Sequence, residues 1–277
     1  MAGSSPASIT SAAGTGVDLE VVERGSGAPL VVLHGASGPT PDAPFVDLLA
    51  QQNRVVVPSH PGFGRSSLPE WMDSVEDLVY VYLDLLEEYD DRAVTLVGVS
   101  LGGWVAAELA VRRPQWLGRL VLVDAVGIRV GGREDRDIAD IWAVGTEELL
   151  RIGFHDPDKG RQYMSLEGKS KDQLEIVARN QESAVLFGWE PYLHNPKLRR
   201  RLDRIDVPTL VLWGASDRIT HPDYGKAYAA SIPGATFQLV EDAGHFPHIE
   251  QPHEFAAAVG RFADRRLPGP AGQAGGA

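Results

Sequence analysis

Apolar positions in this chain gather into short unbroken runs: "PLVVLH" (29–34), "RVVVP" (54–58), "AVTLVGV" (93–99), "RLVLVDA" (119–125), "TLVLWG" (209–214) and "TFQLVE" (236–241). A strand with one face in water alternates apolar and polar residues, whereas a strand covered on both faces reads as a continuous apolar run. The runs therefore predict a mostly parallel sheet with helices on both sides. Helical spacing fills several of the gaps. "SVEDLVYVYLDLLEEY" (74–89) has acids in its first turn, where they suit the helix dipole; "LGGWVAAELAVRR" (101–113) is Ala-rich and stops at Pro114; "QPHEFAAAVGRFADRR" (251–266) closes the pattern. Strand, helix and strand repeated in this order predict an open, twisted α/β sheet with right-handed crossovers.

The rhythm breaks between Asp124 and Thr209, where about 80 residues carry helical patterns such as "TEELLRIGF" and "KDQLEIVARNQESAVLFGW" and no strand-like run. The expected division is a core of 17–125 and 207–266 interrupted by a helical cap at 126–206. A loosely held N-terminal arm (1–16) and a disordered tail (267–277) rich in Gly, Pro and Ala complete the chain. The cap carries Trp142, Phe154, Tyr163, Phe187, Trp189 and Tyr192. Most are expected to pack the cap helices together, with Trp142, Phe187 and Trp189 the candidates to line an apolar substrate pocket.

Composition narrows the function. The 277 residues, 43% of them hydrophobic, suffice for a well-buried core. A net charge of −12 argues against a nucleic-acid partner, which needs clustered Lys and Arg; the one basic run, "KLRRRLDR" (197–204), reads as a solvated helix face. Cysteine is absent, so there is no thiol nucleophile, disulfide or thiolate metal site, which fits a reducing compartment. The N-terminal residues lack the basic start and apolar run of a secretory signal, and no stretch reaches the roughly 18 apolar residues of a membrane span. The expectation is a cytoplasmic protein without a membrane partner; oligomeric state is not readable.

The chemistry concentrates at three points. "AVTLVGV" runs straight into "GVSLGG" (98–103) and then a helix, so Ser100 occupies the apex of a tight strand-to-helix turn that small neighbours permit. The turn presents its Oγ at the carboxyl edge of the sheet and places the Leu101 N–H at a helix start, facing a developing oxyanion. A hydroxyl is a weak nucleophile, so it needs a base, and the base a carboxylate to orient it. Asp217, three residues past Gly214, and His245, after the last strand, fall in loops on the same edge. Asp124, at the end of "RLVLVDA", is a rival acid that the loop position makes the less favoured one. "EDAGHFPHIEQPHEF" (241–255) also holds His248 and His253. A metal site would require all three histidines to converge, which Pro247 and Pro252 oppose.

The motifs "LHGASG", "HPGFGRS", "GVSLGG", "WGASD" and "GHFPHIEQP", in that order over about residues 20 to 265, resemble those of the α/β-hydrolase superfamily, in its serine-nucleophile branch with a helical cap. The resemblance implies Ser100 as nucleophile, His245 as general base and then acid, Asp217 as its orienter, and the amides of Ala36 and Leu101 as the oxyanion hole. It implies a hydrolase acting through an acyl-enzyme on a small, apolar carbonyl compound, an ester or the C–C bond of a diketone, with no cofactor and no metal. "HGASGP" resembles the "HG-x-GPG" loop of C–C bond hydrolases and brings Ser37 and Gly38 in as substrate contacts. The chain departs from the pattern at Ser59-His60, where relatives often carry Asp. His34 is expected to hold the oxyanion loop, and His248 is assigned no chemistry. Two other readings remain open on the same residues: a ligand receptor without turnover, and a lyase or perhydrolase without cofactor.

Overall fold

The computed structural model describes residues 7–12, 14–90, 92–132 and 134–264. Its strands are β1 (Ser8–Ala12), β2 (Val17–Arg24), β3 (Ala28–Leu33), β4 (Asn53–Pro58), β5 (Val94–Val99), β6 (Leu117–Val123), β7 (Thr209–Gly214) and β8 (Thr236–Val240). The helices are α1 (Pro44–Leu49), α2 (Val75–Leu86), α3 (Leu101–Val111), α4 (Thr146–Gly153), α5 (Pro157–Tyr163), α6 (Lys171–Gly188), α7 (Pro222–Ala230), α8 (Pro247–Glu250) and α9 (Pro252–Ala263), with a 3-10 helix at Leu198–Arg204. One sheet contains all eight strands in the order β1-β2-β4-β3-β5-β6-β7-β8; β2 runs antiparallel to both its neighbours, β1 and β4, and the remaining pairs are parallel.

The unbroken apolar runs are explained by the two cores. Val31, Leu33, Leu96, Leu120, Leu122, Val211 and Trp213 face one side, with Leu78 and Tyr82 of α2 and Val105 and Leu109 of α3. Their neighbours Leu30, Val32, Val97, Val99, Val121, Val123, Leu210 and Leu212 face the other, with Phe45 of α1 and Phe255 and Val259 of α9. Each such side chain contributes roughly 1.5–3 kcal/mol on burial. Because both faces are apolar, a one-residue slip would expose no polar group, and register is held instead by shape. Gly98 is the clearest case: a Cβ there would meet the Ala106 side chain at 2.7 Å, so α3 returns over β5 only at this position.

Residues 8–12 depart from the expected loose arm, since they form β1 paired with β2 from Ser8↔Val21 to Ala12↔Val17. Only Ala12 of β1 is buried, so ladder hydrogen bonds rather than apolar burial place it, and no hydrophobic run marks it. β2 alternates, with Val17, Leu19 and Val21 inward, and so lacks the continuous run that marked the inner strands. Residues 1–6, 13 and 265–277, and with them the expected tail, lie outside the described residues. Between β6 and β7 the described residues hold α4, α5, α6 and the 3-10 helix and no strand. No described helix is long and apolar enough to cross a membrane.

Candidate active site

Ser100 follows β5 with φ 50° and ψ −111°, a left-handed conformation that costs a non-glycine residue energy and is kept by the packing around it. Glycines on both sides make it possible. A Cβ on Gly102 would overlap the Leu33 and His34 carbonyl oxygens, and one on Gly35 would come within 3.2 Å of the Ser100 Cβ. The turn between β5 and α3 thus sits directly against the loop that follows β3. Leu101 is the first residue of α3, where amide N–H groups have no carbonyl four residues back to bond, and Ala36 lines a cavity with Ser100.

His245 Nε2 lies 2.9 Å from Ser100 Oγ, and its Nδ1 lies 2.8 Å from Asp217 Oδ2. Both His245 and Asp217 are buried, at 3% and 1% exposure. Asp217 is fixed by donors on both oxygens: Oδ1 accepts from the Ile219 and Thr220 amides at 2.8 and 3.1 Å, and Oδ2 from the Thr220 hydroxyl at 2.7 Å. With one Asp217 oxygen taking the Nδ1–H, Nε2 is left as an acceptor facing the serine hydroxyl. Asp124, the rival acid, lies beside Asp217 but does not bond the His245 ring. Its Oδ1 accepts the Gly214 amide at 2.9 Å, tying β6 to β7, and its Oδ2 is buried without a hydrogen-bond partner. Burial first, and then the neighbouring Asp217, push the Asp124 carboxyl well above the usual carboxylate range.

Asp124, Asp217 and His245 form the one group of three metal-ligating side chains found among the described residues, with one ligand atom of each inside a 4.8 Å circle. The donor set fits an ion poorly. Both Asp217 oxygens, one Asp124 oxygen and His245 Nδ1 are already engaged with N–H, O–H or carboxylate partners, leaving one oxygen free. His253 is exposed on α9, so the three neighbouring histidines do not converge.

The loop after β3 is braced by two buried histidines. His34 Nδ1–H donates to the Gly35 carbonyl at 2.8 Å and its Nε2 accepts the His60 amide at 2.9 Å. His60 Nε2–H returns a bond to the His34 carbonyl at 2.9 Å, and His60 Nδ1 accepts from the Tyr82 hydroxyl at 2.6 Å. All four ring nitrogens are used, in one consistent pair of neutral tautomers. Burial lowers both, His60 to about 4 and His34 well below its ordinary value, while burial drives the Tyr82 hydroxyl upward and keeps it a donor. His60, in the place where relatives often carry Asp, therefore stitches the loop after β4 to the loop after β3.

A cavity of about 70 Å³ opens beside Ser100. Ser37 and Gly38 line it as expected, but Trp142, Phe187 and Trp189 do not. Trp142 packs its ring against Trp189 at 5.8 Å and Tyr192 at 5.2 Å, Phe187 is in the core, and Trp189 is exposed beside a separate cleft of about 460 Å³. That side of the cavity is lined instead by Leu149 of α4, Tyr163 of α5, Met164 and Leu193, with Phe246 next to His245. The reason is the face that α6 turns inward. Asn180, Ser183, Ala184 and Phe187 are its buried stripe, and the polar members bond the core loops. Asn180 Oδ1 accepts the Gly64 amide at 2.9 Å, and Ser183 Oγ donates to the Gly62 carbonyl at 2.8 Å.

Glu250 had no expected role, although the quoted motif around His245 contains it. Its buried carboxylate accepts the amides of Gly244 (2.7 Å), Asp156 (2.9 Å) and His155 (3.2 Å), and the His245 amide donates to the Gly153 carbonyl at 2.7 Å. The loop carrying the base is thus locked to the start of α5. An acid one turn beyond a histidine, on a four-residue helix, carries no periodic signal that would have revealed it.

Comparison with known proteins agrees with this architecture. The model of the alpha/beta hydrolase family matches residues 30–258. A 2-hydroxy-6-oxo-6-(2'-aminophenyl)hexa-2,4-dienoic acid hydrolase of Metapseudomonas resinovorans is 26% identical, over 91% of this chain and 89% of that protein. A pimeloyl-[acyl-carrier protein] methyl ester esterase of Legionella pneumophila is 24% identical, over 89% and 99%. Among solved structures, the CarC serine hydrolase of carbazole degradation superposes with a TM-score of 0.75 at 20% identity, over 94% of this chain and 99% of that one, a likeness of fold. A hydrolase from Pseudomonas aeruginosa PA01 gives 0.71 at 26% identity, over 94% and 98%. The chain belongs to the alpha/beta hydrolase family of enzymes.

Proposed function

We propose that this enzyme is a serine hydrolase that cleaves a small, largely apolar carbonyl compound, an ester or the C–C bond of a diketone, through an acyl-enzyme. The observation that carries the proposal is the continuous line Ser100 Oγ, His245, Asp217, with contacts of 2.9 and 2.8 Å. Ser100 Oγ attacks the carbonyl carbon while His245 Nε2 takes its proton. Asp217 stabilises the imidazolium, and the amides of Leu101 and Ala36 take the oxyanion. The leaving group departs with the proton from His245, and water repeats the sequence to release the acid. No cofactor or metal enters these steps. Residues 126–206 act as a cap that closes the cavity, with Ser37 and Gly38 as substrate contacts.

The enclosed space is about half of the roughly 150 Å³ that holds a benzene ring in an apolar cavity, which favours a substrate of which only a few carbons are fully enclosed. Names of the relatives support both bond types, since one is a dienoic acid hydrolase and another a methyl ester esterase. A panel of aryl esters graded by acyl length, run beside a vinylogous diketone, decides between them. Preference for short acyl chains supports the ester reading, and selective turnover of the diketone supports C–C cleavage. Labelling of Ser100 by a fluorophosphonate without turnover of any member would favour a receptor.

A further inference from the structure

The cavity beside Ser100 contains a second histidine whose ring packs among phenylalanines and makes no hydrogen bond to the protein. His248, on α8, lines that cavity and is 5% exposed. Its Nδ1 is shielded and unpartnered, and neither ring nitrogen has a hydrogen-bond partner among the described residues. The ring stands edge-on to Phe45 at 5.2 Å and tilted against Phe255 at 5.9 Å, an apolar setting. An unpaired buried polar group costs about 1–3 kcal/mol, so its presence needs a reason.

Charge is not that reason. Burial, and then the neighbouring His245, lower His248 to about 3, so the ring is neutral over the working range and offers one donor and one acceptor. The cavity lining contains no Lys, Arg, Asp or Glu. A carboxylate seated there would be desolvated without a counter-ion, whereas a neutral oxygen could bond Nε2, the ring nitrogen that is not shielded, at little cost. The lining also holds Val32, Val57, Val99 and Phe45, at the strand ends and α1, and Thr40.

We propose that His248 is a specificity residue that hydrogen-bonds a neutral keto or hydroxyl oxygen on the part of the substrate lying against the strand-end wall. The substrate class is thereby an oxo- or hydroxy-substituted carbonyl compound without a carboxylate in that position. This rests on the serine hydrolase reading, and the test separates the two.

The test compares para-nitrophenyl esters of a plain alkanoic acid, of oxo acids of equal length with the keto group scanned along the chain, and of the matching dicarboxylic half-ester. The wild-type enzyme is expected to favour one oxo ester over the alkanoyl ester by roughly tenfold to a hundredfold in kcat/KM, with the half-ester poorest. His248→Leu is expected to bring the oxo-to-alkanoyl ratio near one, and His248→Gln to keep part of the preference. A wild-type ratio near one at every keto position, or an unchanged ratio in His248→Leu, overturns the assignment to His248. Absence of both turnover and fluorophosphonate labelling at Ser100 overturns the serine hydrolase reading and this assignment with it.

Discussion

Two pairs of buried histidines flank Ser100, and they are treated in opposite ways. In the pair His34 and His60, every ring nitrogen has a partner and the rings join two loops. In the pair His245 and His248, one ring is spent on Ser100 and Asp217 and the other is bonded to nothing. Burial and neutrality are common to His34, His60 and His248; what differs is where the hydrogen bonds go. Polar groups satisfied inside the protein belong to its scaffold. Polar groups left open beside the nucleophile are available to substrate.

The largest effect expected from breaking this contrast is catalytic. His245→Ala should lower kcat/KM by about three to six orders of magnitude, and Asp217→Asn by about four. Asp124→Asn should cost much less than Asp217→Asn, because His245 bonds Asp217 and Asp124 bonds Gly214. Comparable losses at the two acids would show that the contact to Asp217 is not the one in use.

Next comes pH. Unfolded histidine titrates near 6.5, while His60 and His248 in the folded protein are lowered to about 4 and about 3. Between those values the unfolded chain binds protons that the folded one refuses, so this stability is present above pH 6.5 and is lost as pH falls toward 3. The urea midpoint should drop steadily over that window, corresponding to a few kcal/mol for each ring, and a flat midpoint from pH 6.5 to 4 would contradict the burial of these histidines.

Smaller effects separate the pairs at neutral pH. His60→Leu strands the Tyr82 hydroxyl and the His34 carbonyl and should destabilise by about 2–4 kcal/mol in equilibrium unfolding. His248→Leu strands nothing and should be neutral or stabilising by up to about 1–2 kcal/mol. Equal destabilisation would erase the distinction. His253→Ala, at an exposed position on α9, should change neither stability nor turnover measurably.

Much of this was legible in the residues, and the parts that were not have physical reasons. Continuous runs such as "TLVLWG" mark inner strands because Leu210 and Leu212 serve one core while Val211 and Trp213 serve the other. The edge strand β1 has no such double duty and left no run to read. Ser100, Asp217 and His245 were legible because strand ends converge on one edge, which makes chain order a guide to proximity. The pocket wall was not, because an aromatic such as Trp142 or Phe187 packs equally well against its own helices, and only the tertiary arrangement decides. Asn180, Ser183 and Glu250 gave no sign, since their partners are backbone groups far away in the chain. The bracing by His60 gave no sign either, since its partners are the His34 carbonyl and the Tyr82 hydroxyl, both distant in the chain.

The most direct test of the central claim is the covalent state of Ser100 during turnover. Rapid acid quench of the wild-type enzyme with a para-nitrophenyl ester, followed by peptide mass mapping, is expected to find the acyl group on Ser100, with a burst of nitrophenol matching the enzyme present and both signals lost in Ser100→Ala. Steady turnover with no acyl group on Ser100, or turnover that survives Ser100→Ala, would contradict the account.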